Sequence, residues 1–356
     1  MKFERIDPQS HLDELVSLAR IEYGDAEMSN KAYLRWQYVE NPAGKAIVVV
    51  ARADNGDLAG QYVVIPLDFR LDGQLGKGSL SLNTLTHPDY RGQGLFTKMA
   101  NETYDVCKSE GLNITLGFPN KNSYPGFVRK LQFQHIGNAT VMFRPLRPIA
   151  ILRHLPKLRS APKYASPKCL IQSSQIPSDK GGLSVTELCL DSDADAYDAM
   201  ISTQRHPNFC VSRGAFFARW RYNAIPTRQY RAFKVDGNKE MLATCVVRQR
   251  RVKGIECVFI VDLQLGHDTA AEPAAHMLIQ SVLSFYRSAG VALAGILVNK
   301  GTILYKLSKS LWFRPMPSRL LPHDAPIIVR RNAPTLGDEM FDIRQWDFAF
   351  GDYDVF

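Results

Sequence analysis

A short aromatic element occurs twice in this chain, and it dictates the plan of the whole. Arg35-Trp36-Gln37-Tyr38 with Pro42 returns as Arg219-Trp220-Arg221-Tyr222 with Pro226, and the spacing of Arg, Trp, Tyr and Pro is identical. Strands are expected after both copies, with turns at Asn55-Gly56 and Asp236-Gly237. Residues 131–133 (LQF) find a counterpart in 311–313 (LWF). Copies this far apart describe two related domains in tandem, since solenoid periods are much shorter. A length of 356 residues suits two domains. The element itself reads as packing of a large aromatic beside an Arg, not as chemistry.

Residues 1–145 read as one α/β unit. Strands are expected at 46–53, at 60–67 continuing through 68–71, at 78–86 and at 113–118, with a turn at Asp72-Gly73. Residues 94–111 carry helical spacing, with Leu95, Met99, Thr103 and Cys107 on one stripe and Gly111 at its end. A short helix is expected at 124–131. Residues 146–182 are rich in Pro, Ser, Lys and Arg and read as a linker opened by a basic helix near 149–155, stopped by Pro156. Residues 183–333 repeat the first unit. In the tail, 334–356, strict alternation of Trp346, Phe348 and Phe350 predicts a strand with one buried face.

Composition narrows the function. Hydrophobic residues at 45% and charged residues at 22% indicate a folded globular protein. No apolar run is long enough for a membrane span, and MKFERIDPQS has no secretory h-region, so a cytoplasmic protein is expected. The six cysteines form no CxxC pair and no zinc spacing, so neither a metal site nor a disulfide framework is expected. The net charge of +9 suits a phosphorylated ligand without requiring nucleic acid.

The informative segment runs from Leu82 to Met99: a strand ends at His87-Pro88, a loop Tyr90-Arg91-Gly92-Gln93-Gly94 follows, and a helix begins. Free N–H groups and the positive end of the macrodipole meet at a helix start, where a pyrophosphate can sit. Gly92 and Gly94 supply bare backbone, and Arg91 and Lys98 add charge. The loop is not GxxxxGK[ST], which disfavours a nucleotide triphosphatase.

This context resembles the GNAT superfamily of N-acetyltransferases, most fully over residues 29–137. The family pattern Arg/Gln-x-x-Gly-x-Gly/Ala is met by Arg91 through Phe96, except that Phe96 stands where a small residue is usual. The resemblance implies an α/β (α+β) fold of two tandem GNAT-like domains, each a mixed, mostly antiparallel sheet flanked by helices. It implies acetyl-CoA, or another acyl-CoA, as co-substrate and a small-molecule amine, such as an amino sugar, as acceptor. It places the pantetheine arm against Thr84, Leu85 and Thr86, and the pyrophosphate on the amides of Gly92, Gln93, Gly94, Leu95, Phe96 and Thr97. The ring of Phe96 must then turn away from the phosphates. Asn120 and Asn122 are loop groups near the cofactor, or caps of the following helix.

Acyl transfer needs a neutral amine, a polarised carbonyl and a proton for the thiolate. The family's usual tyrosine donor corresponds here to Val128, so Tyr124, one turn earlier, is either its substitute or a structural aromatic. Glu27, beside Asp25 in the loop where the family contacts its acceptor, is one candidate base. The chain also resembles mycobacterial aminoglycoside acetyltransferases of the enhanced-intracellular-survival type, which implies a second candidate, the terminal carboxylate of Phe356. The second copy lacks an R-G-x-G loop and carries acidic residues there, in DLQLGHDTAAEPA. Like charge repels pyrophosphate, so this copy is expected to shape the acceptor site or a homodimer contact. Two alternatives stand beside the enzyme: a non-catalytic CoA-binding sensor or scaffold, and an aminoacyl-tRNA-dependent transferase.

Overall fold

The computed structural model describes residues 1–154, 164–167, 170–171, 176, 179–204, 207–316 and 326–353. Strand β1 (Lys2–Ile6) precedes helices α1 (Leu12–Tyr23) and α2 (Lys31–Tyr38), whose start is capped by Asn30 accepting from the amides of Ala32 and Tyr33. Strands β2 (Ile47–Arg52), β3 (Leu58–Leu71) and β4 (Gln74–Thr86) form an antiparallel meander. Helix α3 (Leu95–Ser109), β5 (Ile114–Gly117), α4 (Tyr124–Lys130), β6 (Gln134–Asn138), β7 (Thr140–Pro145) and α5 (Pro148–His154) complete the first half. The second half follows the same plan. It contains β8 (Tyr164–Ala165), β9 (Asp179–Lys180), β10 (Leu183–Glu187), α6 (Ala194–Ser202), β11 (Phe209–Val211) and α7 (Ala215–Ala218). After a π-helical turn at Arg219–Asn223 come β12 (Arg231–Gly237), β13 (Glu240–Val252), β14 (Ile255–Leu265), α8 (Ala271–Ser288), β15 (Leu293–Val298), α9 (Ile303–Ser310), β16 (Arg314–Pro315) and β17 (Pro326–Arg331).

Two mixed sheets result. In each, one parallel pair, β4 with β5 and β14 with β15, interrupts an otherwise antiparallel order. The first sheet runs β1-β2-β3-β4-β5-β17-β6, and the second runs β16-β7-β15-β14-β13-β12-β10-β9. The sheets therefore exchange a strand. β7 pairs with β15, from Leu293↔Pro145 to Val298↔Thr140, while β17 sits between β5 and β6. Residues 140–145, expected within the first unit, complete the second sheet, and 326–331 complete the first. The cause is local. Only Ala139 separates β6 from β7, too little for a hairpin, so the chain runs straight on into the other sheet.

Hydrophobic patterning sets the layers. Leu95, Met99 and Cys107 of α3 pack with Tyr62, Val64 and Phe133 on the outer face of the first sheet. Helix α8 covers the outer face of the second with Leu278, Val282 and Tyr286. The inner faces share one core with α1, α2, α6, α7 and the tail. The Asp72-Gly73 turn forms as expected, both residues having positive φ. The expected Asp236-Gly237 turn lies instead at Asn238-Lys239 (φ 52° and 68°), because Asp236 and Gly237 still pair with Met241 and Glu240. Gly237 serves packing: a Cβ there would lie 2.8 Å from Leu242 and 2.9 Å from Leu183.

The two Trp elements meet at the centre of this core. The rings of Trp36 and Trp220 stack with centroids 4.7 Å apart and planes 16° apart. Trp36 Nε1 donates to the Trp220 carbonyl at 2.7 Å, and Trp220 Nε1 donates to the Trp36 carbonyl at 2.9 Å. Each carbonyl lies in the last turn of its helix, where no intrahelical N–H reaches it. Each buried indole N–H needs an acceptor.

The tail is not the expected strand. It forms 3₁₀ turns at Asp338–Phe341, Ile343–Gln345 and Phe350–Asp352, with a single bridge from Trp346 to Phe209. Trp346, Phe348 and Phe350 are nevertheless all buried. Side chains replace the ladder. Asn299 donates to the carbonyls of Ile343 (2.6 Å) and Trp346 (2.7 Å), and Arg221 to those of Gly351 (2.9 Å) and Tyr353 (2.8 Å). Buried Arg213 faces three carboxylates: Asp352 at 3.0 Å from its Nε, Asp347 at 3.4 Å and Asp262 at 3.9 Å. One guanidinium cannot neutralise three buried carboxylates. Burial pushes Asp347 from 3.8 up to about 6, even though Arg213 opposes the shift.

Two outcomes follow from this core. Trp36→Phe and Trp220→Phe each keep an aromatic ring but lose one N–H bond, at about 1–2 kcal/mol, together with part of the buried stacking surface. In denaturant unfolding, the double variant loses less than the sum; full additivity rejects the coupling. For Asp347 the folded state binds the proton more tightly than the unfolded state. Its burden on stability therefore grows as pH rises through about 6. Asp347→Asn should stabilise the protein by on the order of 2 kcal/mol at pH 8 and by almost nothing at pH 4. A pH-independent difference in melting curves contradicts this.

Candidate functional site

The first sheet splits beside the predicted loop. β4 pairs with β5 only through Ser79↔Thr115, Leu80↔Leu116 and Ser81↔Gly117. It nevertheless continues to Thr86, still paired to β3 by Gln61↔Leu85 and Gly60↔Thr86. From residue 83 to 86 its β5-facing edge is therefore unpaired, and an extended ligand can add to it as a strand would. A bulge marks the start of the split: the β3–β4 register shifts between Gln61 and Val63, opposite Asn83 at φ 48°. The hydroxyl of Thr84 is buried at this edge and has no hydrogen-bond partner among the described residues.

A helix start faces the same end. His87 Nδ1 accepts from the Asp89 amide at 3.2 Å, fixing a 3₁₀ turn at Pro88–Tyr90. Gly92 and Gly94 adopt φ 81° and 73°, and a side chain at either would meet nothing within 4 Å. The backbone is thus open to solvent in a conformation that favours glycine. No side chain caps α3, and the amides at 95–97 have no intrahelical acceptor. Its 15 residues give a full macrodipole. Arg91 is tied to Glu22 of α1 and reaches the Thr86 carbonyl at 3.4 Å. Phe96 turns inward, its ring 5.7 Å from Tyr62 and 5.5 Å from Phe127. Gly126 makes room for it, since a Cβ there would stand 3.0 Å from the ring. The departure at Phe96 is thereby absorbed on the side away from the amides.

The unpaired edge at Thr84, Leu85 and Thr86 and the loop at 91–97 thus lie at the same end of β4, joined by the contact of Arg91 with Thr86. The other sequence candidates lie elsewhere. Tyr124 begins α4 with its ring edge-on to His135 of β6, centroids 5.6 Å apart, and the sheet order puts β5 and β17 between β6 and β4. Val128 packs against the apolar cluster under α3. Asn120 Oδ1 accepts from the amides of Asn122 (2.9 Å) and Ser123 (3.0 Å), so it closes its own loop; Asn122 is exposed. Glu27 receives Arg228 through both oxygens, at 2.8 and 2.6 Å, and also Thr227. Burial pushes the Glu27 carboxyl up, but the bonds and charge of Arg228 bring it below the usual carboxylate range. It is a clamp between the repeats, not a free base. Phe356 lies outside the described residues.

The structure adds a buried polar group, to which the Arg35–Tyr38 element read as packing contributes Gln37 and Tyr38. Asn83 Nδ2 donates to Gln37 Oε1 (2.6 Å) and to the Tyr38 hydroxyl (2.9 Å), and Gln61 donates to the Asn83 carbonyl (2.9 Å). Burial raises the Tyr38 phenol well above its ordinary value and keeps it neutral. The available signal was an Asn within a strand, a residue type that tolerates positive φ better than most others besides glycine.

The second copy has the same split with different contents. β14 pairs with β15 up to Ile260↔Ile296 and continues to Leu265. Asp262 lies two residues past Ile260, as Asn83 lies two past Ser81, and the Tyr222 hydroxyl donates to it at 3.0 Å. The tail turn Phe350–Asp352 fills this split. Gly351 is so close that a Cβ there would lie 3.3 Å from the Val261 carbonyl. Asp268 Oδ1 accepts from the Ala270 amide at 3.0 Å, so a carboxylate stands just before α8. Among the described residues no group of three His, Cys, Asp or Glu could hold a metal ion, and no helix is long and apolar enough to cross a membrane.

Residues 9–136 match the sequence model of a family described as an acetyltransferase (GNAT) domain. No curated protein matches the chain in sequence. Among solved structures, a GCN5-related N-acetyltransferase from Anabaena variabilis is similar at TM-score 0.60 and 13% identity, over 93% of this chain and 73% of that one. A probable N-acyltransferase from Enterococcus faecalis is similar at TM-score 0.61 and 10% identity, over 93% and 72%. Saccharomyces cerevisiae N-myristoyltransferase with bound myristoyl-CoA is similar at TM-score 0.57 and 12% identity, over 93% and 79%. At these identities the likeness is one of fold.

The left-handed backbone of the loop can be checked directly. Gly94→Ala should lower the stability of the ligand-free protein by about 1 kcal/mol through φ alone, since no neighbour obstructs the methyl group. Unchanged stability in urea would mean that the loop relaxes freely.

Proposed function

We propose that this chain, whose residues 9–136 are a GNAT acetyltransferase domain, is an enzyme that transfers an acyl group from acyl-coenzyme A to an amine. One observation carries the reading: an unpaired strand edge ends beside an uncapped, glycine-opened helix start, whereas the second copy holds the tail turn Phe350–Asp352 in its split. The pyrophosphate would rest on the amides from Gly92 to Thr97. The pantetheine amides would pair with the edge at Thr84, Leu85 and Thr86, which directs the thioester toward the bulge at Asn83. There the amine nitrogen attacks the carbonyl, the C–S bond breaks, the nitrogen loses a proton and the thiolate gains one.

Acetyl is the acyl group expected, and an amino sugar is the first acceptor class to try. Use of acyl-CoA also implies a cytoplasmic protein. The CoA-binding sensor remains the second reading, motivated by Val128 in its apolar cluster and by Tyr124 turned toward β6. The open loop gives no support to a transferase that takes its acyl group from aminoacyl-tRNA.

Acetyl-CoA should raise the melting temperature, with about 2.7 kcal/mol of added stability at a hundredfold excess over Kd. Arg91→Glu should remove most of that shift. Thiol release should appear with a panel of amines, and comparison of acetyl-CoA with myristoyl-CoA reads the acyl preference. Absence of any shift rejects a coenzyme A site; a shift without thiol release favours the sensor.

A further inference from the structure

A cluster of guanidinium groups lies next to the split and has no part in holding coenzyme A. Arg221 and Arg228 follow the second Trp, and Arg248 stands on β13. They converge on Tyr230: Arg221 Nη1 donates to its hydroxyl at 3.0 Å, and the Arg248 guanidinium lies 5.7 Å from its ring centre. Arg228 lies 5.5 Å above the ring of Tyr33. Arg250 adds positive charge beside Arg248. Glu27, which also faces Arg248, is already bound through both oxygens to Arg228.

This arrangement is unfavourable for the chain alone. Arg248 Nη1 is buried with no hydrogen-bond partner among the described residues. An unpartnered guanidinium N–H and like charges in partial burial both destabilise the fold. Burial and the neighbouring cations bring Arg248 down to about 10. The cluster is still reachable, because Arg248 and Tyr230 are half-buried and the Glu27 side chain is 30% exposed. It also connects to the bulge. Arg228 donates to the Tyr33 hydroxyl at 3.3 Å, Gln37 Nε2 reaches that hydroxyl at 3.5 Å, and Gln37 Oε1 accepts from Asn83 at 2.6 Å.

We propose that Arg248, with Tyr230 beside it, binds an anionic group, a carboxylate or a phosphate, on the acceptor amine. This rests on the acyl-transfer reading and specifies its substrate class. A guanidinium engages such oxyanions through paired N–H bonds, and Arg248 has one donor left unused. Glu27 and Arg228 act as positioning residues, holding the two repeats so that this donor faces the acceptor.

Matched acceptors test this by thiol release: glucosamine against glucosamine 6-phosphate, and an amino-acid amide against the free amino acid. The anionic member of at least one pair should show kcat/KM about tenfold higher or more, and the pair that does so separates phosphate from carboxylate. Arg248→Met keeps the aliphatic stem; it should raise KM for the anionic acceptor about tenfold while leaving the neutral acceptor and the acetyl-CoA thermal shift unchanged. Arg248→Lys should restore part of the loss. Equal use of both members, or equal damage to both by Arg248→Met, overturns the proposal. A second arm needs no turnover: with the first site saturated by coenzyme A, inorganic phosphate or acetate should stabilise the wild type and not Arg248→Met, and an identical response of the two proteins overturns it. A missing acetyl-CoA shift rejects the acyl-transfer reading instead, so the two failures are distinct.

Discussion

Trp36 and Trp220 each complete their hydrogen bonding only on the other repeat. The indole N–H groups are buried and donate to carbonyls that the ends of two helices leave free. Separating the repeats would orphan both donors and both carbonyls at once, and would expose two stacked rings. The strand exchange adds a second constraint, because β7 and β17 each complete the other half's sheet. The repeats therefore form one cooperative body. The split in the first sheet and the cationic cluster, built largely from the second half, can keep a fixed relation to each other for that reason.

The central elements of the first repeat were legible because they follow from local patterns. β2 to β5 alternate or run apolar between turn residues, α3 shows its stripe, and the loop announces itself by two glycines before a helix. The exchange was not legible, since a strand pattern does not name its partner. The decisive gap, Ala139 alone between β6 and β7, depends on boundaries that composition leaves blurred. The tail shows the complementary failure. Its alternation gave the buried residues, Trp346, Phe348 and Phe350, but Asn299 and Arg221 satisfy its backbone where a neighbouring strand was expected.

The glycine loop of the candidate site is contiguous in sequence, whereas the site's inner end is not. Asn83, Gln37, Tyr38 and Gln61 come from three elements, and the cationic cluster draws on residues from 27 to 250. No spacing rule links such positions. Glu27 was singled out as a candidate base in an acceptor-side loop, but its chemistry depended on Arg228, about two hundred positions away in sequence.

The contrast between the two splits reduces to one pair of side chains. Asn83 and Asp262 occupy matching places, and each is hydrogen-bonded to the tyrosine of its repeat. Asn83 is uncharged, and Gln37 and Tyr38 satisfy its amide, so it needs no counter-ion. Asp262 places a carboxylate in the same low-dielectric position, and burial raises its pKa although Arg213 opposes the shift. Arg213, itself fully enclosed, has donors left for more acceptors, and Asp347 and Asp352 of the tail provide them. The acid in the second copy thus helps bring the tail turn into its split, while the amide in the first asks for no counter-ion and the tail meets that side through the rings of Tyr353 and Phe348 against Phe118.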